Sequence, residues 1–125
     1  MILDCLIVKA PWSNLILNGK KKLEIRGCRT SKRGIVGIIE SGSGEIKGLV
    51  DIAGCRELTE ESFDRERKQH CIQNVPWQML PYKKVYGWQM KYPTRFKKPV
   101  KYNHPKGAVI WVRAEVPDEE IQKYL

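Results

Sequence analysis

No stretch of this sequence stays apolar for the roughly 20 residues that a membrane-spanning helix needs. The opening residues carry Asp4 close to the start and run into Pro11, which reads as a first strand rather than a secretory leader. The default expectation is therefore a cytoplasmic protein. Cysteine is scattered: Cys5, Cys28, Cys55 and Cys71 form no C-x-x-C pair, and of the two histidines His70 adjoins Cys71 while His104 is far away in sequence. Without close ligand pairs no metal site is expected, and without a leader no disulfide scaffold. The thiols are read as reduced and mostly buried. Neither a P-loop nor a Ser-His-Asp pattern is present, which leaves nucleoside-triphosphate hydrolysis without support. Repeats, linkers and low-complexity tracts are also missing. The expectation is one domain over residues 1–125, with its core in 1–116 and a short C-terminal helix or tail in 117–125.

Acidic residues are absent from one long segment. Residues 82–106 hold eight Lys or Arg and no Asp or Glu, and residues 20–33 hold seven basic residues against Glu24 alone. Residues 34–81 reverse the sign, with five basic and eight acidic residues. The formal net charge of +9 therefore sits in two segments that could form one positive face if folding joins them. A lysine-rich surface kept for solubility would have the same composition. Six of the eleven aromatics, Tyr82, Tyr86, Trp88, Tyr92, Phe96 and Tyr102, lie inside the second basic segment. Flat rings among cations suit the bases and phosphates of a single strand. Trp88 and Phe96 are expected to fill the core instead.

Residues 2–8 read as a buried strand. Pro11 then opens a short helix over Trp12 to Asn18, with Leu15 and Ile16 inward and Gly19 as its stop. Residues 22–26 alternate, which puts Leu23 and Ile25 on the core face and Lys22, Glu24 and Arg26 on the other. A strand over 35–40, the turn Ser41-Gly42-Ser43-Gly44 and a return over 46–52 form a hairpin. Thr59 can cap a helix reaching to about Cys71, with Leu58 and Phe63 as its hydrophobic staple. Strands near 84–91, 100–102 and 108–113 follow, and 118–125 can make a terminal helix. About six strands with two or three short helices indicate a small, mostly β, mixed-sheet barrel of the α+β class.

Three stretches in order resemble the ASCH domain of the PUA-like superfamily. The first, Ala10-Pro11-Trp12 through Arg26, is similar to the family's G-x-K-x-x-E-x-R signature, which falls on Gly19, Lys21, Glu24 and Arg26. The second runs from Arg33-Gly34 to Ile52, and the third from Tyr86-Gly87-Trp88 to Ile110-Trp111. The resemblance implies a PUA-like barrel and a ligand that is RNA, DNA or a modified nucleoside. In the branch that hydrolyses acylated cytidines, a lysine stands at the place of Lys21 and a threonine nucleophile at that of Glu24. A later glutamate completes that set, for which Glu60, Glu61 and Glu66 are the candidates here. Glu24 has no hydroxyl, so it could serve only as a base.

The signature residues also have a chemistry of their own. Glu24 and Arg26 share a strand face and can pair, leaving Lys21 at the strand's mouth to meet a phosphate or polarise a carbonyl. An exposed lysine there predicts that Lys21→Ala leaves the melting temperature nearly unchanged. A surface ion pair without function is the competing account. Trp12, beside the first amides of its helix, could stack a base or seal the barrel, and those amides could receive an anion. Ser41 could bond a phosphate or the turn backbone. The candidate nucleic-acid contacts are Trp12, Lys21, Glu24, Arg26, Arg29, Arg33, Ser41, Tyr86 and Arg95. Lys21 and Glu24 would be catalytic if the protein is an enzyme. The expected partner is RNA, another single strand or a nucleotide, with no cofactor. A small hydrolase of the amidohydrolase or ribonuclease type and a module for an acidic protein partner are the alternatives.

Overall fold

Apolar runs become the strands of one curled sheet. The computed structural model describes residues 1–125. The elements follow in the order β1 (Ile2–Val8), α1 (Trp12–Leu17), β2 (Leu23–Arg26), β3 (Gly34–Glu40), β4 (Glu45–Leu58), α2 (Glu60–Arg65), α3 (Arg67–His70), a 3₁₀ turn (Trp77–Met79), β5 (Val85–Lys101), β6 (Trp111–Glu115) and α4 (Asp118–Tyr124). The strand order is β2-β5-β4-β3-β1-β6. β1 runs parallel to β3, with Cys5 opposite Gly37, and the other four pairings are antiparallel. The fold is α+β and mostly β, as expected from the sequence.

Both faces of the sheet are buried. On one face Leu6, Val36, Ile38, Val50, Ile52 and Trp88 pack against Ile16 and Leu17 of α1. On the other, Ile7, Ile39, Leu49 and Phe96 pack against Val116, just before α4, and Ile121 within it. A smaller cluster joins Leu23 and Ile25 to Phe63 of α2. Each fully buried large side chain contributes about 1.5–3 kcal/mol. Leu15 is only partly covered, so the inward pair on α1 is Ile16 and Leu17.

Three expectations need correction. First, the sheet is not a closed barrel, because β2 and β6 are edges that no ladder joins. Side chains bridge the gap. Arg26 Nη2 donates to the Ile7 carbonyl at 2.9 Å, and Trp88 stacks on Trp111 with centroids 6.0 Å apart. Segment 27–33 fills what remains: Cys28 O accepts from Trp88 Nε1 at 2.9 Å, and Lys32 pairs with Asp4. Second, the helix capped by Thr59 breaks at Glu66 into α2 and α3, which raises the helix count to four. The cap itself forms as a reciprocal box with Ser62, and Cys71 ends α3 in a left-handed conformation with φ of 64°. Third, residues 85–101 form one strand of 17 residues. Its register against β4 slips at three places, and Pro93 and Pro99 fall where ladder bonds lapse.

Only Cys5 is a buried thiol. Cys28 is exposed, and Cys55 and Cys71 are partly covered. No cluster of His, Cys, Asp and Glu is arranged to hold a metal ion, and no helix is long and apolar enough to cross a membrane.

Candidate nucleic-acid interface

Gly19 leaves α1 with φ of 83°, and the chain then threads Lys21 between three elements. The Lys21 amide donates to Leu15 O at 2.9 Å, the Lys22 amide donates to Gln69 O at 2.8 Å, and the Met90 amide donates to Lys22 O at 2.9 Å. Lys21 is thereby carried inward rather than left at the strand's mouth. It is 1 % exposed, which overturns the expectation of a free surface lysine. Its ammonium donates to the His70 carbonyl at 2.5 Å, lies 3.6 Å from Glu24 Oε1 and sits 4.7 Å from the Trp12 ring centroid.

Glu24 is 5 % exposed, so both faces of β2 are covered. The carboxylate is fully engaged: Oε2 accepts from Arg26 Nε at 2.9 Å and lies 2.9 Å from Nη2, while Oε1 faces Lys21. Arg26 Nη1 has no protein partner. Burial pulls the Lys21 pKa below the ordinary lysine value, and the Glu24 charge opposes that shift. The three side chains carry a net charge of +1 in a desolvated place, where charges interact more strongly than in water.

The cluster lines a cavity of about 390 Å³. That volume falls in the range of about 300–1,000 Å³ typical of small-molecule sites. Trp12 and Tyr82 supply rings, Ile72, Val75 and Leu80 supply apolar walls, and Lys9 and Ser41 stand at one side. The structure therefore brings together Trp12, Lys21, Glu24, Arg26 and Ser41 from the residues singled out in the sequence.

The others lie elsewhere. Tyr86 is buried in the core and covered by Arg29, whose guanidinium carbon is 5.2 Å from its centroid, so no base can stack on it. Arg33 donates to the Thr30 and Lys32 carbonyls, and Arg95 bonds Asn14. Glu60, Glu61 and Glu66 are paired with Gln78, Arg65 and Arg56, outside the cavity. Of the amides in the first turn of α1, that of Ser13 donates to the Lys9 carbonyl at 3.1 Å.

Sequence reasoning missed Lys9, which belongs to neither basic segment, and the loop 72–82. It also missed His70, which is wholly buried and stacked on Phe63 with centroids 4.3 Å apart. Its Nδ1 accepts from the Ile72 amide at 3.0 Å, so Nε2 carries the hydrogen and donates to Phe63 O at 2.7 Å. No acceptor faces Nδ1, and burial is the first cause of a pKa below the ordinary value of 6.5. A group kept neutral in the fold but protonated in the unfolded chain destabilises the fold as pH falls. Stability should hold above about pH 6.5 and decline as pH falls from there through the lower folded-state value. Urea unfolding across this window, with an NMR titration of the ring, checks it. A His70 ring that titrates at or above about pH 6.5 would contradict the assignment.

A small mixed sheet, open at one seam and holding a polar-floored cavity between α1, β2 and a following loop, defines a PUA-like domain. The chain belongs to the ASCH family: the ASCH domain model matches residues 6–106. That family is linked in general to RNA binding. Among solved structures, the ASCH protein from Zymomonas mobilis is similar to this chain with a TM-score of 0.67 and 12% identity, covering 96% of this chain and 91% of that one. A serine-to-alanine mutant of the same protein gives 0.68 at 12% identity over 96% and 92%, and a tyrosine-to-phenylalanine mutant gives 0.67 at 12% over 96% and 94%. At that identity the likeness concerns the fold. No curated protein matches the chain in sequence.

Proposed function

We propose that this domain binds RNA by taking one unstacked nucleotide into the cavity between α1, β2 and the loop 72–82. The observation that carries the reading is the Lys21–Glu24–Arg26 cluster, buried at the base of a cavity walled by Trp12 and Tyr82. Burying three charges costs several kcal/mol per ion and is weak evidence for a stabilising role. A ligand gives the arrangement a purpose. Arg26 Nη1 offers unpaired donors to acceptor atoms on a base edge, while the rings and apolar walls take the base's faces. Glu24 holds the Arg26 guanidinium in orientation, and Lys9 stands free to meet a phosphate.

Titration with nucleoside monophosphates and short oligoribonucleotides tests this. Trp12→Ala is expected to weaken binding about 5- to 100-fold through lost stacking. Affinity for the oligonucleotides should also fall steeply with salt as counterions are released. Undiminished affinity in Trp12→Ala would remove the cavity from the binding site. A flat response to salt would remove the phosphate contacts.

The downward pKa shift of Lys21 beside a carboxylate favours a second reading, in which the cavity carries proton transfer during hydrolysis of a modified nucleoside or RNA. Both Glu24 oxygens are occupied by cations, which argues against its acting as a base. Release of cytidine from N4-acetylcytidine, or cleavage of a short RNA, that is lost in Lys21→Met would favour the second reading.

A further inference from the structure

The cavity does not end at Ser41. Ile7, Lys9, Ser41 and Val109 line both it and a second cavity of about 490 Å³, so the two form one groove. Val109 is 75% exposed and lines both. The far end has rings of its own. Tyr102 and His104 meet edge to face with centroids 5.8 Å apart. The Tyr102 hydroxyl donates to His104 Nδ1 at 2.8 Å, and His104 Nε2 donates to Ala108 O at 2.9 Å. These bonds fix the His104 tautomer and hold the loop that carries Val109.

Between the two sets of rings lie groups suited to an anion. Lys9 takes part in no ion pair, and Ser41 Oγ makes no hydrogen bond within the protein. The turn beside them places Gly42 and Gly44 at φ of 81° and 69°, and neither amide donates to a protein acceptor. Free amides in a turn of this kind make concavities that accept anions.

We propose that the second cavity takes the neighbouring nucleotide of the same strand, so that the smallest complete ligand is a dinucleotide. The inference rests on the nucleotide reading of the first cavity. The linking phosphate lies over Lys9, Ser41 and the Gly42 and Gly44 amides. The second base packs on Tyr102 and His104. Ring, cation and ring in succession match the base, phosphate and base of a chain, whereas a free nucleoside would leave the anion site and the far rings unused.

Calorimetric titration at one fixed salt concentration tests this, comparing each nucleoside 5′-monophosphate with the dinucleotide of the same base. Dinucleotides should bind about tenfold or more tightly, as expected for one added stacked base and its phosphate. Tyr102→Ala should reduce that advantage to near unity while leaving monophosphate affinity unchanged. Tyr102 also belongs to the cluster of Phe96 and Val100, so His104→Ala, which removes an exposed ring and leaves those apolar side chains in place, provides a second comparison. Dinucleotides that bind no better than monophosphates, or an advantage that survives both variants, would overturn the second site and leave the first standing. Absence of binding by monophosphates and dinucleotides alike would overturn both.

Discussion

Glu24→Ala is expected to lower stability by about 3–5 kcal/mol, the cost of stranding buried charges. Glu24 is the only anion in the cluster, with Arg26 Nη2 2.9 Å from one oxygen and Lys21 Nζ 3.6 Å from the other. Its removal leaves two cations facing each other where little water can screen them. The His70 carbonyl and the Ile7 carbonyl would still accept from Lys21 and Arg26, but carbonyl dipoles cannot replace a full charge. Lys21→Met should cost less, since methionine keeps much of the volume and Glu24 retains Arg26. It should still abolish the cavity's polar floor on that side. Urea unfolding of the two variants beside wild type provides the comparison. A Glu24→Ala midpoint equal to wild type would mean that the cluster sheds its charge on folding.

Gly48→Ala should be about as damaging, by a steric route. A Cβ there would lie 2.3 Å from the Thr94 carbonyl oxygen, 2.8 Å from Leu17 Cδ2 and 3.1 Å from Arg95 Cα. The oxygen and the Cα belong to the backbone of β5, which cannot step aside without opening its ladder with β4. Leu17 belongs to α1, so the clash reaches the helix that presents Trp12. Overpacking of this kind costs typically 1–3 kcal/mol and more where backbone must move, so a loss of about 3 kcal/mol or more is expected. Nucleotide affinity should fall with it as α1 shifts. A melting temperature within about 2 °C of wild type would show that the two strands can separate locally at little cost.

Much of the chain's local structure was legible because it depends on neighbours in sequence. The apolar run of β1, the Pro11 start and Gly19 stop of α1, the Ser41–Gly44 turn, the Thr59 cap and the terminal helix each form where residue pattern and turn chemistry place them. Trp88 and Phe96 are core residues as expected. β5 was harder: its residues read as two strands, near 84–91 and 100–102, with Pro93 and Pro99 between them. A long strand tolerates them only because its register against β4 slips there, a property of the pair and not of the segment.

The site divides along the same line. The sequence by itself determined that Glu24 and Arg26 can pair, since two residues along a strand share a face, whereas the approach of Lys21 to Glu24 comes from the structure. Only the tertiary structure decided that the cluster is buried, because the atoms covering it arrive from far along the chain: the His70 carbonyl 49 residues after Lys21, the loop 72–82, and the Ile7 carbonyl 19 residues before Arg26. It also decided which cations serve the cavity. Charge counting marks the segments 20–33 and 82–106, and the pairing of β2 with β5 does bring them together. Yet Arg29, Arg33 and Arg95 turn to other partners, while Lys9, an isolated cation at the end of β1, stands at the cavity wall. Net charge sums over the chain, but a site is set by the direction in which each side chain leaves the backbone, and that is fixed by pairing and packing across the whole sheet.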